Sequence, residues 1–308
     1  MSTTTSSSTS TTTTRSSATA VALLCLGVVS VGAAAILIRL AAAHPLTTSW
    51  LRLSIGAVVL VVAALVRRRP WPRGADLLRA VVAGVLLAAH FGLWIASLSS
   101  TTVTASVVLC CLQPVFVVLL ARVVLREPAP ARVVGGIAIA LVGAVAIALD
   151  VRADAASASM VGNMLALGGA VAIAVYVLVL RAQQADVLPT SAVLTGVAAL
   201  TILPVAIAVD APLTPLDGRQ AFWLLLLALG PQVIGHTALN AALRRLPASV
   251  VSGSILGEPI IAAVLALLIL DERIGPQTFV GGVVTLVGIF VLVRAQTTSA
   301  ASTPATSP

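Results

Sequence analysis

The sequence predicts an all-α integral membrane protein, with ten transmembrane helices arranged as two inverted five-helix repeats. Three observations predict it. Of 308 residues, 59% are hydrophobic and only 9% are charged, whereas about a quarter of a soluble domain is charged. The apolar residues fall in runs long enough to cross hydrocarbon, which takes about 20 residues per helix. The second half of the chain also repeats landmarks of the first at a nearly constant offset.

So little charge cannot cover the surface of a soluble globule, and so much apolar residue excludes a disordered chain. Lipid is the solvent that fits. The net charge of +8 comes from eighteen arginines and no lysine, against ten acids. These arginines sit singly or in short clusters between apolar runs, as in loops facing anionic lipid and cytosol, so no nucleic acid is expected as a partner. Cys25, Cys110 and Cys111 lie inside apolar runs without metal-ligand spacing. They read as small apolar residues.

In chain order, residues 1–17 are nearly all Ser and Thr around Arg15 and read as a disordered tail, as do residues 295–308. The first apolar run, 18–38, is longer than the roughly 7–15 residues of a signal-peptide core, so it reads as a retained span. The first repeat, 18–149, holds runs near 18–38, 47–66, 77–98, 102–121 and 133–149. An extracytoplasmic linker covers 150–159. The second repeat, 160–294, holds runs near 160–180, 190–209, 220–243, 248–270 and 277–293. All are apolar on every face, which excludes the alternation of a β-barrel. Spans three and four form a tight hairpin around Ser99–Thr101, and spans eight and nine another around Arg245–Pro247.

Orientation follows from the arginines. With the N-terminus in the cytoplasm, thirteen arginines fall inside and five (Arg39, Arg52, Arg152, Arg219 and Arg273) fall outside. That asymmetry places both termini in the cytoplasm of a multi-pass protein of the cell's inner (plasma) membrane. Trp50, Trp94 and Trp223 then lie toward the outer interface and Trp71 toward the inner one.

The repeat rests on residues that chance does not readily match in Ala/Val/Leu-rich sequence. Leu112-Gln113-Pro114 aligns with Gly257-Glu258-Pro259 at an offset of 145. At that offset Leu125 meets Leu270, Glu127 meets Glu272, Gly136 meets Gly281 and Gly143 meets Gly288. His90-x3-Trp94 aligns with His236-x3-Asn240 at an offset of 146. Five spans per half is odd, so the halves cross in opposite senses. The loop after span four is accordingly basic (Arg122, Arg126, Arg132), and the matching loop reads Asp271-Glu272-Arg273. Two similar halves that exchange conformations give inward-open and outward-open states around a midplane site, the architecture of a carrier.

The ten spans, the two halves and the Glu258-Pro259…Leu270-Asp271-Glu272 pattern resemble the drug/metabolite transporter superfamily, in its EamA-like branch, over residues 18–294. The first half departs from the pattern, with Gln113 in the place of Glu258. The resemblance implies transport of small molecules. Family members mostly export amino acids, metabolites or drugs, and a few import sugars or nucleotide sugars.

Ionisable groups at membrane depth usually face a cavity or a partner. Glu258 reads either as the group that binds a substrate cation or takes up a coupling proton, or as a packed carboxyl compensating the break at Pro259, which frees the Ile255 carbonyl. Gln113 is its partner in the repeat and cannot titrate. Arg52, one turn into span two, reads either as snorkelling to the outer interface or as an ion-pair partner for an acid or a substrate carboxylate. His90 with Trp94, and His236 with Asn240, share helix faces and read as opposite walls of a mostly apolar central cavity. Asn163 and Tyr176 are weaker candidates, Tyr176 as an interface anchor. Glu127 and Glu272 read as structural. The small residues at 162, 166, 170 and 174, and at 136, 140 and 144, read as packing seams.

There is no nucleophile elbow, P-loop or metal box. The expectation is therefore no enzyme and no cofactor, and a secondary transporter exporting small metabolites, amino acids or drugs by alternating access, acting as a monomer or homodimer. The alternatives are an importer of a small solute and a passive channel.

Overall fold

The computed structural model describes residues 8–100, 109–110, 112–126, 130–150, 160–214, 217–270 and 276–301. Every regular element among them is helical. In the first half these are α1 (Ser8–Gly32), α2 (Ala34–Ala41), α3 (Pro45–Val66), α4 (Gly74–Ser100), α5 (Gln113–Leu120) and α6 (Ala131–Asp150). In the second they are α7 (Met160–Arg181), α8 (Val187–Ala208), α9 (Gly218–Leu227), α10 (Thr237–Leu243), α11 (Ala248–Ser254), α12 (Glu258–Leu270) and α13 (Pro276–Ala301).

Among the described residues, six segments are long and apolar enough to cross a membrane: Ala18–Ala41, Pro45–Val66, Gly74–Ser97, Met160–Arg181, Val187–Ala208 and Gly218–Leu243. In the places of spans four, five, nine and ten, the described apolar helices are shorter, at Gln113–Val124, Ala131–Gly143, Ala248–Gly257 and Phe279–Val291. The outside of the bundle suits lipid. Val58, Val62, Leu65, Leu200, Leu268, Phe279 and Phe290 are each more than half exposed, far beyond the scattered apolar surface of a soluble monomer.

Several helices are interrupted, and each interruption has a local cause. A π-helical stretch, Ala228–His236, joins α9 to α10 and contains Pro231, which has no N–H to give and crowds the preceding turn. A 3₁₀ turn, Ile255–Gly257, joins α11 to α12 just ahead of Glu258-Pro259. Between α2 and α3, Ala42 closes one helix in the left-handed region (φ 49°). His44 opens the next, its ring Nδ1 accepting from the Leu46 amide at 3.3 Å.

Helix α1 begins at Ser8, within the Ser/Thr run, and α13 continues to Ala301. Once a span is helical, each further residue adds a hydrogen bond without a new nucleus, so the helix runs on into polar sequence. The turn expected around Thr101, the linker 151–159, Glu127 and Glu272 lie outside the described residues.

The packing pairs the two halves. Helix α6 packs on α13, α3 on α8, α4 on α7, and α1 on the π stretch and α10. Exchanging the halves sends span three to eight and span six to one, so the α4–α7 contact maps onto the contact of α1 with span eight. Helices α3 and α8 run antiparallel. Thr47, near the start of α3, donates to the Pro212 carbonyl beyond the end of α8. Arg69, beyond the end of α3, pairs with Asp186 at the start of α8 at 3.3 Å. The α6–α13 seam is also antiparallel. Gly143 lies against Thr285 and the Gly281 carbonyl, and Gly288 lies against the Ala140 backbone. Since 140 corresponds to 285 and 143 to 288, these two contacts are copies of each other. The Thr285 hydroxyl, donating to the Gly281 carbonyl at 2.8 Å, sits between them.

One end of the bundle gathers arginines. Asp76 accepts from Arg79 at 2.8 Å and from the Gln184 amide at 3.2 Å. Gln183 donates to the Asp76 carbonyl at 3.1 Å, and Arg244 donates to the carbonyls of Gln184 and Ala185. These bonds tie the α3–α4, α7–α8 and α10–α11 connections together.

Candidate functional site

Between the halves lies a cavity of about 210 Å³. Arg52, His90, Trp94, Gln113, His236, Asn240 and Glu258 all line it, together with Phe91, Tyr176 and apolar residues such as Val31, Ile173, Leu239, Val251 and Leu256. The structure thus places Arg52, Gln113, Glu258 and the His90–Trp94 and His236–Asn240 pairs around one cavity, without Asn163. Helices meet closely around it because glycines face backbone. Gly169 of α7 lies against the Trp94 amide and His90 carbonyl of α4, and Gly235 lies against Ser30 and Val31 of α1. The helix break at Ala33 falls between the lining residues Gly32 and Ala34.

Arg52 does not snorkel. It is 2% exposed, and its guanidinium is fixed on two sides. Nε and Nη2 donate to the Gln232 Oε1 at 3.2 and 3.0 Å, and the cation lies 4.3 Å over the Phe91 ring. Burying an arginine costs several kcal/mol unless it is well hydrogen-bonded. A desolvated cation over an aromatic face recovers about 2 kcal/mol. Glu258 lines the same cavity within electrostatic reach of Arg52, but no contact ion pair joins them among the described residues.

The carbonyl freed at Pro259 is already satisfied: the Glu258 amide donates to the Ile255 oxygen through the 3₁₀ turn. The backbone compensates its own break, so the carboxyl is not needed there. Gln113, opposite in the repeat, is buried, and its Nε2 has no partner among the described residues.

The two histidines differ. His90 donates Nδ1–H to the Gly169 carbonyl at 2.9 Å, which fixes its tautomer when neutral and leaves Nε2 as an acceptor. Its ring stacks parallel to Trp94, with centroids 6.2 Å apart. Trp94 therefore belongs to the cavity rather than to an outer aromatic belt, and its buried Nε1 has no partner among the described residues. His236 ends the π stretch and meets Phe91 edge-on at 6.0 Å.

Toward the arginine-rich end two lining residues, Tyr176 and Asn240, are linked to Ser191. The Tyr176 hydroxyl donates to the Asn240 Oδ1 at 3.0 Å, and Asn240 Nδ2 donates to the Ser191 hydroxyl at 3.3 Å. Tyr176 is buried within the bundle, not an anchor at its surface. Asn163 is not among the lining residues.

Gln232 and Phe91 escaped the sequence reading. Gln232 is a lone amide in an apolar run beside Pro231, and that pairing of a helix breaker with a polar group at depth was the available signal. Phe91 is one residue from His90 but carries no polar atom to mark it.

As a whole, the arrangement is a mainly apolar cavity with one fixed cation, one carboxyl and several hydrogen-bonding groups from both halves. It can hold a small amphipathic solute. No curated protein matches the chain. A crystal structure superposes with a TM-score of 0.77 at 17% identity, covering 91% of this chain and 98% of that one; at that identity the likeness speaks for the fold alone. The pattern of the EamA-like transporter family matches residues 18–149 and again 160–294. Two copies, on the two halves that the packing relates, cover nearly all of the described helices, and the chain belongs to the EamA-like transporter family.

Proposed function

We propose that this protein is a secondary transporter that exports small amphipathic metabolites, amino acids or drugs across the cell membrane by alternating access. Ten spans form two inverted repeats, and both termini face the cytoplasm. The observation that carries the reading is the cavity itself, which draws its lining from spans one to four and from six, eight and nine. A site shared between two exchangeable halves is what alternation requires. The antiparallel α3–α8 and α6–α13 pairs support the inverted topology, and the arginine-rich end supports the orientation. In this reading His90, Trp94, Gln113, His236, Asn240 and Glu258 contact the solute, and Glu258 is the coupling residue.

The test is solute counterflow in proteoliposomes. A solute that raises the melting temperature of the purified protein is loaded inside, and a labelled trace is added outside. Transient uphill accumulation of the trace is expected. Dissipation down its gradient without accumulation would instead mean a passive channel. For orientation, a Ser157→Cys variant lacking the native cysteines should react with an impermeant maleimide in intact cells. Reaction only after permeabilisation would reverse the topology.

A further inference from the structure

Gln232 lies in the π-helical stretch of span eight and meets Arg52 and Gly56 of span two. Both bonds from Arg52 converge on its one carboxamide oxygen. Gly56 leaves the space for this: a Cβ there would stand 2.8 Å from the Gln232 Cγ. With Nε and Nη2 held on one edge and Phe91 under the plane, the guanidinium cannot swing, and Nη1 is left with no hydrogen-bond partner among the described residues. A carboxamide oxygen accepts two N–H groups but brings no charge. The arginine is therefore oriented without being neutralised, and its charge faces a cavity that it lines. A glutamate in the same place would orient it equally well and cancel it.

The rest of the chamber points the same way. Trp94 Nε1 and Gln113 Nε2 are buried donors without acceptors, and both residues line the cavity. Unmet buried donors are costly, and a ligand with acceptor oxygens relieves that cost. Building on the carrier reading above, we propose that Gln232 is a positioning residue that holds Arg52 as the receptor for a carboxylate on the transported solute. Arg52 is the only cation among the lining residues, and Glu258 contributes the opposite charge. One guanidinium matches a singly charged carboxylate. A dianionic phosphate would be left largely uncompensated.

The test uses the purified full-length protein and ligand-induced thermal stabilisation. L-leucine, 4-methylpentanoate and hexanoate are each titrated beside their own primary amides, so that each pair differs at the carboxyl alone. In the wild type the acids should stabilise at concentrations at least about tenfold below those of the amides, the effect of one charged hydrogen bond. Gln232→Glu should keep the wild-type melting temperature without ligand and lose that preference by about tenfold or more. If Gln232 served only to hold Arg52 in place, Gln232→Glu would leave the preference intact. Stabilisation by amides equal to that by acids, by none of the acids, or with the preference intact in Gln232→Glu, overturns the proposal. Should Gln232→Glu not fold, the wild-type preference and its loss in Gln232→Met decide. The readout is binding, so the two readings fail separately. Acid-selective binding without counterflow removes the carrier reading. Counterflow without acid selectivity removes the present one.

Discussion

The seam between α6 and α13 and the cavity between the halves come from the same repeat, yet only the seam keeps its symmetry. In the seam, Gly143 meets Thr285 and Gly288 meets Ala140, and each contact is the image of the other. In the cavity, Gln113 stands opposite Glu258 and Trp94 opposite Asn240. His90 is bonded to a carbonyl, whereas His236 is held by ring contacts alone. Backbone packing is satisfied by any pair of small residues, so it stays equivalent in both halves. A single asymmetric solute has one set of groups to meet, so the chemistry around it has no reason to be doubled. The contrast separates what holds the halves together from what they hold.

The largest expected effect lies in the seam. A methyl at Gly143 or Gly288 would collide with backbone atoms, which cannot rotate away. Gly143→Ala and Gly288→Ala should each lower stability by roughly 2–3 kcal/mol, by similar amounts, as measured by denaturant or thermal unfolding in detergent. Gly135→Ala, on the same helix but where an added Cβ would meet open space, should be neutral or stabilising by up to about 1 kcal/mol. Clearly unequal losses at 143 and 288 would break the symmetry claimed for the seam.

The cavity should respond unequally. Glu258→Gln makes the two halves alike at this position. It should abolish gradient-driven flux while leaving solute exchange and folded yield close to wild type, since exchange needs no net movement of a coupling ion. Gln113→Glu added to Glu258→Gln moves the carboxyl to the other half and should not restore flux. Parallel loss of yield and exchange in Glu258→Gln would mark the carboxyl as a packing residue.

A smaller effect is expected at the Tyr176–Asn240–Ser191 cluster. Tyr176→Phe removes the bond to Asn240 and should cost about 1 kcal/mol in thermal unfolding. A loss above about 3 kcal/mol would mean that this cluster supports the fold much as the seam does.

Much of the fold is legible in the sequence because membrane spans advertise themselves by length. The repeat is legible because Pro, His, Glu and Gly stand out against Ala, Val and Leu. The break at Ala33 is not legible, since the flanking Gly-Ala-Ala-Ala run is neutral toward it. At the site, helical spacing places His90 with Trp94 and His236 with Asn240 on shared faces. Arg52 could not be resolved from spacing. Its depth is readable, but the partner that decides its direction is 180 residues away in the chain. Tyr176 was misplaced for the same reason: nearness to a helix end says nothing about which neighbour the hydroxyl meets.

Access to the cavity from both sides of the membrane is the central claim, and it can be measured directly. Trp94→Cys and Asn240→Cys, each in a background without the native cysteines, place a thiol on each of the two repeat-related walls. Right-side-out and inside-out vesicles are treated with an impermeant maleimide. Alternating access predicts that both positions label from both faces, and that a bound solute protects them. Labelling from one face only, or from neither, would contradict it.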